Sequence, residues 1–377
     1  MINIDETLNE MKAEASKGYD KEAARKLEKA IDRRIMIAAG KVVAAVLLVM
    51  ALVFACISPV MNALYTNPLE CKADDTSVMN IAGYDPNEID ISDRERKELK
   101  LGAVLGAYYE LNFPYVRVAM APTVEKKGFS KYEIKLNMIK DGHKSRYGVE
   151  NMQLEMDKGS MEIKSDPDGY SDNWYRFTDL IHTFDTQAEE DSWIANSRET
   201  MTDTIRDLNE LPDSCYICLS VMDQKAKPIM ELIDMEAEDF ELYWAEVMPD
   251  KDTGRSGAPI FTGGISVEAV RGFDENGEYI DEITEDVLKD HYMKNLRLIS
   301  DNKAVLEGMQ FIIDNMSGTG EEWINDALEN AEKIDVLMTD KYCIGGSKKA
   351  VLEYLSKIDA ISITVDNIRL SSLATTQ

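Results

Sequence analysis

An uninterrupted apolar run near the amino terminus constrains this chain more than any other feature. No charged residue occurs from Val42 to Leu69, and residues 42–64 read VVAAVLLVMALVFACISPVMNAL. As a helix rising ~1.5 Å per residue, a run of this length extends about 34 Å, enough to cross a hydrocarbon core of about 30 Å. A buried core helix is the alternative, but core helices usually keep a polar stripe. The run therefore predicts a transmembrane helix at residues 42–64.

The flanks of this run predict a retained anchor and its orientation. The 41 residues that precede it exceed the n-region of a cleaved signal peptide, whose whole length is roughly 15–30 residues. Arg33, Arg34 and Lys41 lie just before the run, whereas the far flank begins with Glu70 and is predominantly acidic. Because positive residues favour the cytoplasmic side, we expect a single-pass protein of the cell membrane with its amino terminus in the cytoplasm.

The charge is distributed unevenly on the two sides of the run. Residues 1–41 carry nine basic and eight acidic side chains, and the remainder carries 33 basic and 62 acidic ones. An acidic surface repels phosphate backbones, so direct nucleic-acid binding is disfavoured. Three histidines and five scattered cysteines supply few metal ligands or triad members. The composition therefore predicts no enzyme, no cofactor and no metal site.

The inner segment, residues 1–41, has the pattern of a short amphipathic helix or helix pair. Asn3 and Glu6 resemble a capping box, and Leu8, Met11, Leu27 and Ile31 fall at three- and four-residue spacings within their helices. A segment this small cannot bury its apolar stripe against itself. These four residues are therefore our candidate partner-binding residues, with a solvated juxtamembrane helix as the alternative. The second helix, starting near Asp20, should continue into the membrane.

The outer part of the chain has the pattern of a mixed α+β protein. Residues 65–96 contain turn chemistry and predict a linker. Residues 97–195 predict a strand-rich domain, with a helix at 95–110 and alternating strands at 116–118, 132–138, 152–156 and 161–163. Residues 196–377 predict an α+β domain with helices at 198–211, 228–235, 284–316, 321–342 and 347–357, and with strands at 215–222, 240–247 and 360–365.

The cysteines and one acidic loop offer chemical motifs of low specificity. Cys215 and Cys218 have CxxC spacing, but on a strand residues three apart point to opposite faces, which favours two small buried thiols. A disulfide between Cys71 and Cys343 is possible in an oxidising exterior. The loop at residues 274–281 carries carboxylates, yet it lacks EF-hand spacing, which favours a plain hairpin.

Several stretches of the chain resemble one protein family. They are residues 63–68 (ALYTNP), 108–115 (YYELNFPY), 128–133 (GFSKYE), 208–219 (LNELPDSCYICL), the helix from Pro228, the strand with Tyr243 and Trp244, residues 342–347 (YCIGGS) and 351–370 (VLEYLSKIDAISITVDNIRL). Together with the short basic inner segment and single span, they look like the membrane-anchored sigma factor regulators. The family pattern near the end is a strand, a glycine turn, a helix and an Ile-rich strand.

This resemblance implies an anti-sigma-type regulator. Its inner segment would sequester an alternative sigma factor, alone or with a second membrane regulator, and its outer domains would relay an envelope signal. The inner segment lacks the Cys and His zinc ligands of some larger anti-sigma domains. The alternative is an anchored structural or enzymatic ectodomain of the cell envelope, without a transcriptional role.

Overall fold

The protein folds as two compact units, Met1–Leu64 and Tyr65–Gln377. A computed structural model describes residues 9–10, 13, 21–73, 92–140, 150–158, 160–165, 184, 186–236, 239–249, 262–271, 279–280, 282–309 and 320–370. The first unit contains one long helix, α1 (Lys21–Leu64). The predicted continuation of the inner helix into the apolar run is confirmed, because α1 includes both without a break.

The second unit is mixed α+β, which confirms the predicted fold class. Its elements, in chain order, are α2 (Asp93–Asn112), β1 (Val116–Gly128), β2 (Lys131–Lys140), β3 (Glu150–Asp157), β4 (Ser160–Ser165), α3 (Gln187–Glu210), β5 (Cys215–Pro228), α4 (Ile229–Ile233), β6 (Phe240–Glu246), β7 (Gly264–Ser266), α5 (Val267–Val270), α6 (Glu285–Asp301), α7 (Lys303–Gly308), α8 (Gly320–Lys333), β8 (Met338–Ser347), α9 (Lys348–Leu355) and β9 (Ala360–Leu370).

Strands β1 to β4 form an antiparallel meander in the order β1-β2-β3-β4. Alternation places Ile134, Leu136 and Met138 on the buried face, while Lys135 and Asn137 between them remain partly exposed. Helix α2 packs against β1. A capping box between Ser92 and Glu95 begins this helix, and hydrogen bonds from Ser92 hold the pKa of Glu95 below its usual value.

The outer edge of β1 is closed by two side chains of α2. Val124 N donates to Glu98 Oε1 at 2.9 Å, and the Arg94 guanidinium donates to the carbonyl oxygen of Val124. Arg94 and Glu98 also form an ion pair at 3.1 Å. Both backbone groups of Val124 are therefore occupied at a position where an edge strand otherwise offers them to another strand.

The second sheet has five antiparallel strands in the order β7-β6-β8-β5-β9. Helices α3, α4 and α9 contact it, and α2 contacts both β1 and β7. The buried apolar side chains around both sheets belong to one cluster. The two sheets therefore share a core, and helix α3 continues across residues 195–196, where the sequence pattern predicted a domain boundary.

The first described part of the predicted linker packs into the second unit. Cys71 and Ala73 are buried. Asn302 accepts from Lys72 N at 2.5 Å through Oδ1 and donates to Lys72 O at 3.0 Å through Nδ2. This backbone segment therefore has fixed partners on the loop that follows α6.

Three predictions for the last third of the chain are wrong. The predicted helix at 321–342 ends at Lys333, and residues 338–342 belong to strand β8. The expected glycine turn is also part of β8: Gly345 and Gly346 lie inside the strand. A Cβ at Gly346 would lie 2.4 Å from Asp239 O, so close packing of β6 against β8, not a turn, requires this glycine. The predicted helix at 284–316 ends at Asp301, and a separate helix α7 follows.

Candidate functional site

Helix α1 is the first candidate site, because its apolar side chains are exposed. Its 44 residues extend roughly 66 Å. Among the described residues, it is the one helix long and apolar enough to cross a membrane, over Asp32–Val53 with a mean hydropathy of 2.5 and none of that window buried. This window overlaps the predicted span at residues 42–53.

Many of the exposed side chains of α1 are large and apolar. They are Met36, Ile37, Val42, Val43, Val46, Leu47, Leu48, Val49, Met50, Leu52, Val53 and Val60. Exposed apolar surface costs about 25 cal/mol per Å² in water, and contiguous patches of this extent mark contact with a membrane or a protein. A bilayer or a partner surface is therefore needed to cover α1.

The topology-determining and partner-binding residues that the sequence predicts in the first unit are only partly described by the structure. Arg33, Arg34 and Lys41 are exposed on α1. Leu27 and Ile31 belong to the same helix one turn apart, and nothing is described of their side chains. Leu8 and Met11 lie outside the described residues, as does the loop at 274–281 apart from Tyr279 and Ile280. The four candidate partner-binding residues therefore remain a prediction.

In the second unit, two of the motifs that carry the family resemblance meet in space. Lys348, the first residue of α9, is buried and extends to the end of α3. Its Nζ donates to Asn209 O at 2.9 Å, to Leu211 O at 2.5 Å and to Asp213 Oδ1 at 3.1 Å. A lysine at this place satisfies carbonyl groups that a helix end leaves free. The Leu-Pro-Asp-Ser turn is therefore fixed by the residue that follows the YCIGGS strand.

Replacing Lys348 with methionine is expected to lower the free energy of unfolding by about 2 kcal/mol, because hydrogen bonds to a charged group contribute about 1.5–3 kcal/mol and their acceptors become unpaired. Urea unfolding followed by circular dichroism measures the change. The adjacent Lys349 is exposed, so Lys349→Met serves as the control and should change stability by less than about 0.5 kcal/mol. Equal effects of the two substitutions would contradict the assigned role.

A second candidate site is a buried polar group that we call the Glu110 cluster: Glu110, Trp244, Ser266, His291 and Asn295. Glu110 lies near the end of α2, and its side chain is 3% exposed. Its Oε1 accepts from Ser266 N at 3.0 Å and lies 2.8 Å from His291 Nε2. Trp244 Nε1 donates to Glu110 O at 2.8 Å. Four elements, α2, β6, β7 and α6, therefore meet at Glu110, three of them through its carboxylate and β6 through its backbone carbonyl.

A glycine pair lets β7 approach this carboxylate. Gly263 has φ +81, a conformation that side chains rarely adopt. A Cβ at Gly264 would lie 2.0 Å from the Trp244 ring. The absence of side chains at both positions brings the backbone of Ser266 within reach of Glu110.

Tyrosine hydroxyls gather on the five-stranded sheet around two carboxylates. Tyr216 and Tyr243 donate to Glu241 Oε2 at 2.9 and 2.7 Å. Tyr115 OH lies 2.8 Å from Asp366 Oδ2. Burial is the main cause that raises the pKa of all three phenols. The three tyrosines therefore stay protonated at neutral pH and act as hydrogen-bond donors.

All five cysteines are free thiols in the structure. Cys215 and Cys218 are buried on β5, as their strand spacing predicts, and Cys71 and Cys343 are both buried and are not joined by a disulfide. Cys71 Sγ contacts Pro68 O at 3.4 Å, and Cys343 Sγ contacts Ser220 Oγ at 3.4 Å. Burial raises the pKa of Cys71 and Cys218 to about 12, which leaves both thiols unreactive near neutral pH.

Comparison with known proteins gives no match: no protein-family model, no curated protein and no solved structure matches this chain. Within the described residues, no three His, Cys, Asp or Glu side chains come together as a metal-ligand group. The features that bear on function are therefore helix α1, the resemblance in sequence and the buried polar groups themselves.

Proposed function

We propose that this protein is a membrane-anchored anti-sigma-type regulator. Helix α1 spans the cell membrane once, the inner segment binds an alternative sigma factor in the cytoplasm, and the second unit receives an envelope signal outside. The observation that carries the proposal is the exposed apolar surface of α1, which belongs to a compact unit separate from the folded α+β unit. The choice of a sigma factor as partner rests on the family resemblance.

Charge supports the proposed orientation. Arg33, Arg34 and Lys41 are exposed on the amino-terminal part of α1. Transferring basic residues across a membrane is disfavoured, so a helix with this flank keeps its amino terminus inside. The strongly acidic remainder then lies outside, where its charge keeps it soluble and away from anionic headgroups.

Sequestration needs binding and tethering and no chemical step. An amphipathic helix can bind a groove of its partner through a few anchors at i, i+3 and i+4 spacing. Here those anchors are Leu8, Met11, Leu27 and Ile31. Binding at the membrane withdraws the sigma factor from RNA polymerase, and a second membrane regulator would enlarge the interface beyond what the short inner segment offers.

Replacing Leu8 and Met11 with aspartate is expected to abolish retention of the sigma factor. Full burial of each apolar anchor contributes roughly 1.5–3 kcal/mol, so loss of two weakens binding by more than a hundredfold. The full-length chain, purified in detergent from its host through a carboxy-terminal tag, is tested for co-purifying sigma factors by immunoblotting.

The matched control replaces Asn9 and Glu10, which lie between the two anchors and are exposed, with alanine. This variant should retain the sigma factor as the unmodified chain does. If the unmodified chain retains no sigma factor, alone or with its membrane partners, the proposed function is wrong, and an anchored envelope ectodomain becomes the better account.

A further inference from the structure

Strand β4 is an open edge of the four-stranded sheet. It is the last strand in the order β1-β2-β3-β4, and among the described residues only β3 pairs with it. None of its six residues is buried. An edge strand offers one row of backbone N–H and C=O groups to a further strand. A strand from another chain can therefore add to the sheet beside β4.

The apolar face of the sheet continues onto β4, where it is less covered. Ile163 lies opposite Leu154 on β3, and residues that face each other across two strands point to the same face. Leu154 is fully buried, whereas Ile163 is 41% exposed. A strand beside β4 would cover part of Ile163, which favours an apolar residue at the facing position.

The other face of β4 carries charges that β3 matches poorly. Glu162 lies directly opposite Glu155, and like charges at facing positions repel. Lys164 lies between them, with its Nζ 2.6 Å from Glu162 Oε2 and 3.8 Å from Glu155 Oε1. Within the described residues, Glu162 therefore shares its cation with a second carboxylate. A further cation at the position that faces Glu162 would be stabilising.

We propose that β4 pairs with β4 of a second copy of this chain, antiparallel and around a two-fold axis at Ile163. In this register Ile163 faces Ile163 of the second copy. Glu162 faces Lys164 of the second copy, and Lys164 faces its Glu162. One segment, Glu162-Ile163-Lys164, therefore supplies both the apolar neighbour and the cation that the exposed edge favours.

Charge favours this register over the two nearest ones. A two-fold axis at Glu162 would set two glutamates against each other, and an axis at Lys164 would set two lysines together, so both arrangements repel. A lysine on an edge strand normally opposes pairing, but at the proposed register it meets a carboxylate. The contact uses the same edge of both copies, so it is isologous and closes at two chains.

Cysteine cross-linking tests the register in the full-length chain purified in detergent. The exposed Cys56 is first replaced with serine, which leaves four buried cysteines. On mild oxidation, Ile163→Cys should form a disulfide-linked dimer, because the Cα atoms of facing residues lie about 4.5–5.5 Å apart, within the reach of a disulfide. Glu162→Cys should cross-link far less, since its counterpart in the second copy is a diagonal neighbour at about 7–8 Å.

The control for chance collisions is Lys349→Cys, at an exposed position on α9. It should give little dimer under the same oxidation. Equal cross-linking of Ile163→Cys and Lys349→Cys would overturn the proposal, and stronger cross-linking of Glu162→Cys than of Ile163→Cys would overturn the register.

Exchange of the two charges separates contact between copies from contact within one copy. Glu162→Lys and Lys164→Glu should each weaken self-association by roughly tenfold or more, since two facing pairs change from attraction to repulsion. When the two variants are mixed, every lysine faces a glutamate of the other copy, so a heterodimer should form as readily as the unmodified dimer. Co-purification through two different tags measures it.

Mixing cannot repair a defect within either chain, so recovery of association would be evidence for the facing pairs. Two results would contradict the proposal: undiminished self-association of the single variants, and no gain when they are mixed. The pairing does not depend on the regulatory role proposed above, so each can fail alone.

Discussion

Replacing Val46 and Met50 with aspartate should move the full-length chain from the membrane fraction to the soluble or aggregated fraction. Both side chains are about half exposed on α1, at 52% and 49%, and they lie one turn apart. An aspartate at the centre of a membrane helix costs ~2.5–3.5 kcal/mol. Two of them raise the free energy of insertion by about 6 kcal/mol, which reverses any modest preference for the bilayer. Carbonate washing of membranes followed by immunoblotting measures the distribution.

The control replaces the same two residues with leucine, which should leave the chain fully in the membrane. The orientation is tested separately on intact protoplasts. Added protease should remove the carboxy-terminal unit and spare the inner segment. Recovery of the unmodified chain in the soluble fraction, or protection of residues 65–377 from the protease, would show that α1 is not an anchor with the proposed orientation.

Replacing Trp244 with alanine should cause the largest loss of stability in the second unit. The side chain is 1% exposed, its Nε1 binds Glu110 O, and Gly264 leaves room for its ring. Truncation of a buried tryptophan costs about 3–5 kcal/mol, since it removes packing and leaves a cavity. Near-UV circular dichroism of the detergent-purified chain should show the unfolding midpoint falling by about 10 °C, given roughly 2–4 °C per kcal/mol for a unit of this size.

Trp193 provides a matched control. It lies on α3, contacts Phe184 with ring centroids 5.6 Å apart, and is only partly buried. Trp193→Ala should lower the free energy of unfolding by about 1 kcal/mol or less. If the unfolding midpoint of Trp244→Ala lies within roughly 2 or 3 °C of the unmodified chain's, as expected for the control, the packing of α2, β6 and β7 does not depend on this ring.

The helices and strands that the sequence predicts correctly are those whose burial follows a regular pattern along their own residues. Strands β1 to β3 of the meander alternate because one face is buried and the other is polar, and α1 is recognisable from an uninterrupted apolar run. Strand β4 has no buried residue. Strand β8 has no such signal. It is a central strand buried on both faces from Tyr342 to Gly346, so its residues do not alternate between apolar and polar. The sequence pattern therefore places residues 338–342 in the helix before them.

The Glu110 cluster could not be predicted because its members are distant in sequence. Glu110 and His291 are separated by 181 positions, and only the four-residue spacing of His291 and Asn295 is local. The same applies to Lys348 and Asp213, which are 135 positions apart. In both cases the sequence contained suitable residue types, but their partners are defined by strand order and by close approach at glycines.

The occupied edge of β1 at Val124 bears on how the membrane-anchored protein proposed above could self-associate. Molecules held in one plane meet in similar orientations, and an open strand edge would let their sheets pair. Because Arg94 and Glu98 occupy both backbone groups of Val124, a strand of a second copy finds no backbone partner at that residue. Pairing along β1 is therefore interrupted there.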